Sequence, residues 1–171
     1  WLRLLPALPA ASRFMGAKQI SRTREGKLVY LITLFDRTTG ELAWLIDGLV
    51  LTAMRTAATS IAALEMLTRS EAPIDLAILG SGLEATEHLA ALAASRSGHA
   101  IRRLRVFSPT PANRDRFAAR AASQHGLEAQ AVDTAQAAVV GATHVLATAR
   151  SRGEQPILFG EWLSTEAVVV S

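Results

Sequence analysis

The chain has 171 residues, half of them hydrophobic, with 18 basic and 15 acidic side chains and a formal net charge of +3. That balance suits one globular domain, or one domain plus a piece of another, and excludes a disordered charged tail. Aromatic residues make up 5% and cysteine is absent, which excludes a base-stacking platform for single strands, disulfides and thiolate metal sites.

In chain order, Trp1-Leu2-Arg3-Leu4-Leu5-Pro6 is too short and too Pro-broken for a signal peptide. With no initiator Met, the sequence is expected to start inside a longer protein. Residues 1–27 read as irregular, punctuated by Pro6, Pro9, Gly16 and Gly26. Leu28 to Phe35 reads as a strand, Asp36-Arg37-Thr38-Thr39-Gly40 as a turn and Leu42 to Asp47 as a second strand, together a hairpin. Thr52 to Leu67 is expected to be a helix with Thr52 as N-cap, because Ile61, Leu64 and Leu67 recur at helical spacing. Glu71-Ala72-Pro73 closes it, so residues 1–70 form one unit and 71–171 another. No run of about 18 apolar residues is read here, so no membrane span is expected.

From Ile74 strand and helix alternate. Strands at 75–79, 104–108, 128–132 and 143–147 are separated by helices at 83–95, 111–124 and 135–140, and Val168-Val169-Val170 reads as one more buried strand. Alternation of this kind implies parallel strands with right-handed crossovers, hence a doubly wound α/β sheet of Rossmann type behind a smaller α+β piece. Six strands make a full dinucleotide fold, and the four or five counted here lead to the expectation that the sheet is cut at the C-terminus.

The most telling stretch is Ile74-Asp75-Leu76-Ala77-Ile78-Leu79-Gly80-Ser81-Gly82-Leu83-Glu84-Ala85. An apolar strand, a turn of the form G-x-G-x-x-A and a helix start are the setting of a dinucleotide pyrophosphate site. Gly80 permits the sharp turn, Gly82 lets phosphate oxygens approach the backbone, and Ala85 lets helix and strand pack closely. The helix start adds unpaired N–H groups and a positive dipole end. Glu84 sits awkwardly near the expected phosphates, turned to solvent or paired with an arginine.

The adenosine ribose is read at the end of the second strand. Val106-Phe107-Ser108-Pro109-Thr110-Pro111 has no acid there, whereas Ser108, Thr110 and Arg114 offer donors to a 2′-phosphate. NADP is therefore favoured slightly over NAD. Ser108-Pro109-Thr110 equally suits a helix cap. Arg102, Arg103 and Arg105, and likewise Arg114, Arg116 and Arg120, read as solvated faces, so no nucleic-acid partner is expected. Arg55, at a helix start, and Lys18, in a Gly-punctuated stretch, are cations suited to a carboxylate or phosphate, or to the plain surface. Among His88, His99, His125 and His144 no metal-ligand spacing occurs, and no metal is expected. His88 is expected to face solvent.

Gly16-Ala17-Lys18, Asp36 with Thr39-Gly40, Asp47, Leu51-Thr52-x-x-Arg55-Thr56-Ala57-Ala58, Gly80-Ser81-Gly82-x-x-Ala85 and Gly160-Glu161-Trp162-Leu163 follow in that order. This series resembles the ornithine cyclodeaminase/mu-crystallin family over essentially the whole chain. The resemblance implies a substrate and dimerisation domain (1–70) followed by an NAD(P)-binding Rossmann domain (71–171). It implies conversion of a small amino or imino acid by hydride transfer, of ornithine cyclodeaminase, alanine dehydrogenase or ketimine reductase type. A non-catalytic crystallin-like binder of NADPH or another small ligand, or a structural fragment, is the alternative. By the same resemblance Lys18 binds or polarises the substrate, and Arg55 holds its carboxylate and approaches the cofactor. Gly80, Ser81, Gly82, Leu83, Glu84 and Ala85 cradle the pyrophosphate, with Thr52, Ser108, Thr110 and Thr148 as further cofactor contacts. A cytoplasmic homodimer is expected.

Three departures accompany the resemblance. The family's catalytic aspartate is expected beyond Ser171, and an upstream substrate-binding arginine before Trp1 unless Arg3 replaces it. Ala147 and Ala149 stand where the family usually has Thr.

Overall fold

The computed structural model describes residues 1–68, 72–149 and 155–171. Two compact units are present, Trp1–Ala53 and Met54–Ser171. The boundary expected near residue 70 falls outside the described residues.

In the first unit, β1 (Leu2–Ala7), β2 (Phe14–Arg22), β3 (Leu28–Asp36) and β4 (Leu42–Asp47) form an antiparallel sheet in chain order. Residues 1–27, expected to be irregular, thus supply two of its strands. Pro6 hides β1 from a sequence reading, but an edge strand tolerates proline because one row of its N–H groups meets no partner. Gly16 hides β2. It is required there because a Cβ would lie 2.1 Å from the Thr33 carbonyl oxygen of β3.

The β3–β4 turn is built around Asp36. Its carboxylate accepts the Arg13 Nε–H at 2.8 Å and the Thr38 N–H at 2.8 Å, while its carbonyl accepts the Gly40 N–H at 2.8 Å. Gly40 has φ +74°, which disfavours a side chain. The Thr38 amide and the Arg13 guanidinium hold the Asp36 carboxyl below its ordinary range.

The helix α1 spans Leu49–Leu67 and begins three residues earlier than expected. Thr52 is not its cap. The Asp47 carboxylate accepts the Leu49 N–H at 2.9 Å, and Thr52 Oγ1 donates to the Gly48 carbonyl at 2.5 Å. Ala53, Ala57, Ile61 and Leu64, at steps of four, four and three, make the buried stripe. By length and composition alone α1 is long and apolar enough to cross a membrane. Arg55 and Glu65 interrupt the apolar run and hide this in the sequence.

The second unit holds β5 (Ile74–Leu79), α2 (Leu83–Ala93), β6 (Ile101–Phe107), α3 (Pro111–His125), β7 (Glu128–Ala131), α4 (Ala135–Val139), β8 (His144–Ala147) and β9 (Val168–Val170). The five strands are parallel, in the order β7-β6-β5-β8-β9. All six residues of β5 are buried, as a central parallel strand requires. Leu76 and Ile78 face one core with Ile61, Leu64, Leu89, Leu92, Leu104 and Phe117. Ala77 and Leu79 face a second core with Ala138, Val139 and Val145. The doubly wound α/β sheet is the architecture expected.

Three arginines expected to be plain solvated charges have partners instead. Arg102 donates to the buried Asp75 carboxylate at 3.0 and 2.6 Å, and Arg103 at 2.9 Å. The Arg102 hydrogen bonds, with the Arg103 charge, outweigh burial and keep the Asp75 carboxyl below its usual range. Arg105 donates to the carbonyls of Ala137 and Val140 at the end of α4, at 3.0 and 2.7 Å. These residues are braces rather than free solvated charges.

Candidate dinucleotide-binding site

Strand register alone gathers the residues of interest in the second unit. Leu79 pairs with Phe107 of β6 and Ala147 of β8, so Gly80, Ser108 and Thr148 leave the sheet at one level. The chain proceeds from β5 to β6 and β7 on one side, then returns to β8 on the other. The carboxyl end of β5 is therefore the switch point where α/β sheets bind ligands.

Gly80 anchors this turn. Its N–H donates to the Phe107 carbonyl at 2.8 Å, and its φ of +121° is open to glycine almost alone. A Cβ there would stand 2.7 Å from Thr148 Oγ1 and 3.2 Å from the Ala149 nitrogen. Thr148 is itself fixed, with its N–H and Oγ1 both directed to the Leu79 carbonyl at 2.9 and 3.1 Å.

Gly82 is different. It caps α2 in extended conformation, with no side-chain hydrogen bond, and a Cβ built on it meets nothing within 4 Å. Its missing side chain serves no internal packing and leaves room in front of the helix. Thr86 N–H is the first to bond back, to the Gly82 carbonyl at 3.0 Å, so the Leu83, Glu84 and Ala85 N–H groups have no intrahelical acceptor. Open space before a dipole end with donors to spare fits a pyrophosphate. Ala85 is buried against the strand, as its place in the motif requires.

Glu84 turns back along α2. Its Oε2 lies 4.0 Å from His88 Nδ1 and has no hydrogen-bond partner among the described residues. His88, expected to face solvent, is buried: Nδ1–H donates to the Glu84 carbonyl at 2.7 Å, and Nε2 meets Ser60 Oγ of α1 at 3.0 Å. The carbonyl accepts only, so Nδ1 carries a proton and Nε2 accepts from Ser60 when the ring is neutral. A histidine on an otherwise apolar stripe, met by a serine of another helix, gives no pattern in sequence.

At the tip of β6, Ser108 is buried. Its Oγ accepts from Ser81 Oγ at 2.8 Å and donates to the Thr110 carbonyl at 3.4 Å. Thr110 is exposed and caps α3 by position, without a side-chain capping bond, ahead of Pro111. Arg114 donates to the Ser108 carbonyl at 3.2 Å and to Asp133. Asp133 was not singled out from sequence, because it follows a different strand.

Three further predicted residues lie on other elements. Arg55 is exposed on α1. Lys18 lies on β2 of the first unit, half-buried, with Nζ 5.1 Å from the centre of the Tyr30 ring. Thr52 is buried on the first turns of α1.

A sequence profile of the ornithine cyclodeaminase/mu-crystallin family matches residues 2–170. The chain belongs to this family. The mouse ketimine reductase mu-crystallin is 30% identical over 98% of the chain and 52% of its own length. A probable ornithine cyclodeaminase from Bordetella pertussis Tohama I superimposes with a TM-score of 0.81 at 27% identity, covering 98% of the chain and 51% of that protein. The Thermococcus litoralis Δ1-pyrroline-2-carboxylate reductase, solved with NADH and L-proline, has the same fold, with a TM-score of 0.80 at 24% identity over 98% of the chain and 57% of its own. The chain thus spans about half the length of these relatives. Of the residues quoted above for the resemblance, Asp36, Gly40, Gly16 and Asp47 have structural roles here: a turn, a close strand approach and a helix cap.

Proposed function

We propose that this chain carries the nicotinamide-dinucleotide site of an oxidoreductase or cyclodeaminase acting on a small amino or imino acid. The observation that carries the reading is Gly82: extended, unobstructed, and set before three N–H groups at the switch point of a parallel sheet. Gly80, Ser81, Gly82, Leu83, Glu84 and Ala85 hold the pyrophosphate, with Thr148 shaping the turn from behind. Thr52 is assigned to the phosphates on the resemblance alone.

A nicotinamide held by these residues would supply or accept the hydride. The chain's own residues supply binding and orientation. Lys18 and Arg55 take the roles the resemblance implies: binding the substrate's carboxylate, with Arg55 also approaching the cofactor. A planar guanidinium suits that carboxylate through two parallel hydrogen bonds. Thr110 and Arg114 support NADPH as a partner alongside NADH, whereas Ser108 is already engaged with Ser81 and Thr110. Exposed Leu2, Leu4, Trp44 and Leu45 on the first unit's sheet, with Trp1 beside it, support homodimer formation through that unit. A cytoplasmic location fits the absence of cysteine.

Nicotinamide fluorescence titration tests the reading. Saturable binding of NADH or NADPH, weakened by a bulky residue at Gly82, is expected. Binding of neither dinucleotide overturns it. Turnover assays with cyclic imino acids and with ornithine then separate a reductase from a cyclodeaminase.

A further inference from the structure

The tip of β6 has no acid of its own, yet the fold brings one there. Val106 pairs with Ala131 of β7, and the Val132 N–H donates to the Val106 carbonyl at 3.0 Å. Two residues past that pair, Ser108 and Asp133 leave neighbouring strands at the same level. Arg114, in the first turn of α3, reaches back between them. One arm of its guanidinium donates to the Ser108 carbonyl and the other to the Asp133 carboxylate. The Arg114 side chain is only 11% exposed, whereas that of Asp133 is 91% exposed.

We propose that Asp133 sets how strongly this site prefers NADPH over NADH, by occupying the place on Arg114 that a 2′-phosphate would take. The proposal rests on the dinucleotide reading above. In such a fold the adenosine ribose lies at the tip of the strand beside the glycine turn, and a nearby arginine accommodates the 2′-phosphate. Arg114 is the arginine so placed, and its fork is already paired with a carboxylate. A 2′-phosphate must displace Asp133 or bind against its negative charge. A 2′-hydroxyl leaves the pair intact and can donate to the same carboxylate. The carboxylate half of this pair is open to water, so a 2′-phosphate can displace it and both dinucleotides bind, with a narrowed ratio.

Asp133 precedes the α4 cap rather than forming it. Thr134 Oγ1 accepts the Ala137 N–H at 3.0 Å, so a change at 133 leaves that cap in place. NADH and NADPH are titrated into the unaltered chain and into Asp133→Ala, Asp133→Asn and Arg114→Ala, with thermal melting of each. Asp133→Ala should raise the ratio of the NADH to the NADPH dissociation constant by about fivefold or more. Asp133→Asn should move it the same way, and Arg114→Ala should bring the ratio towards one. If both aspartate variants melt like the unaltered chain and leave the ratio unmoved, or weaken both dinucleotides equally, Asp133 is only a brace between α3 and the β7–α4 loop, and the proposal falls. If the unaltered chain binds neither dinucleotide, the dinucleotide reading falls with it.

Discussion

Gly80 and Thr148 stand so close that a Cβ on the glycine would lie 2.7 Å from the threonine hydroxyl, whereas Gly82, two residues on, has nothing within 4 Å of the same added atom. The two glycines of one motif therefore answer to different constraints. Gly80→Ala should lower thermal stability, since φ is +121° and Thr148 is held by the Leu79 carbonyl. Gly82→Ala should melt like the parent, yet bind dinucleotide about tenfold more weakly, because its Cβ fills only the open space to which the pyrophosphate is assigned above. Calorimetry beside a titration checks the split; equal losses of stability would contradict it.

Arg55 is exposed on α1, so its removal should cost the fold little. A lost charge-assisted contact costs about 1.5–3 kcal/mol, so Arg55→Ala should raise the substrate KM about tenfold or more. Steady-state kinetics with unchanged KM would remove Arg55 from the site.

Leu64 is fully buried in the core shared by α1, α2, β5 and β6. Leu64→Ala should destabilise the second unit by about 2–5 kcal/mol in denaturant titrations. Met66, two residues on and 86% exposed, should tolerate alanine with little change.

Acid should loosen the amino end of the sheet in two stages. Burial pushes the His144 pKa down, and the neutral ring bridges Thr68 and Thr143 hydroxyls at 2.9 Å each. A depressed folded pKa means the unfolded chain binds the proton first, so stability is complete above the ordinary histidine pKa of about 6.5 and falls as pH drops below it. Asp75 follows lower down. Its carboxyl is depressed by Arg102 and Arg103, so its share is present above the ordinary carboxylate pKa of about 4 and is lost on further acidification. Melting temperatures from pH 8 to 3 should show both limbs, with His144→Gln removing the first and Asp75→Asn the second.

The glycine turn and the alternation after Ile74 were legible because each depends on neighbours in sequence. What the sequence concealed depends on partners far along the chain. β1 and β2 escaped notice because proline and glycine read as breakers until an edge position and a close strand crossing give them a use. His88 reads as a surface residue until Ser60 of another helix meets it. Arg102 and Arg103 read as solvated until parallel pairing sets them beside Asp75. Asp133 reaches the tip of β6 only through the register of β7 against β6. Thr52 looked like a cap because its type suits one, yet Asp47 already performs that task.

β5 lies between β6 and β8, with a separate core on each of its faces. Its amide hydrogens can reach deuterated solvent only when the whole second unit opens, so they should be the last in the chain to exchange. The glycine turn at its end thus hangs from the least yielding strand, and the loop proposed to meet the phosphates should keep its form even while the outer strands breathe.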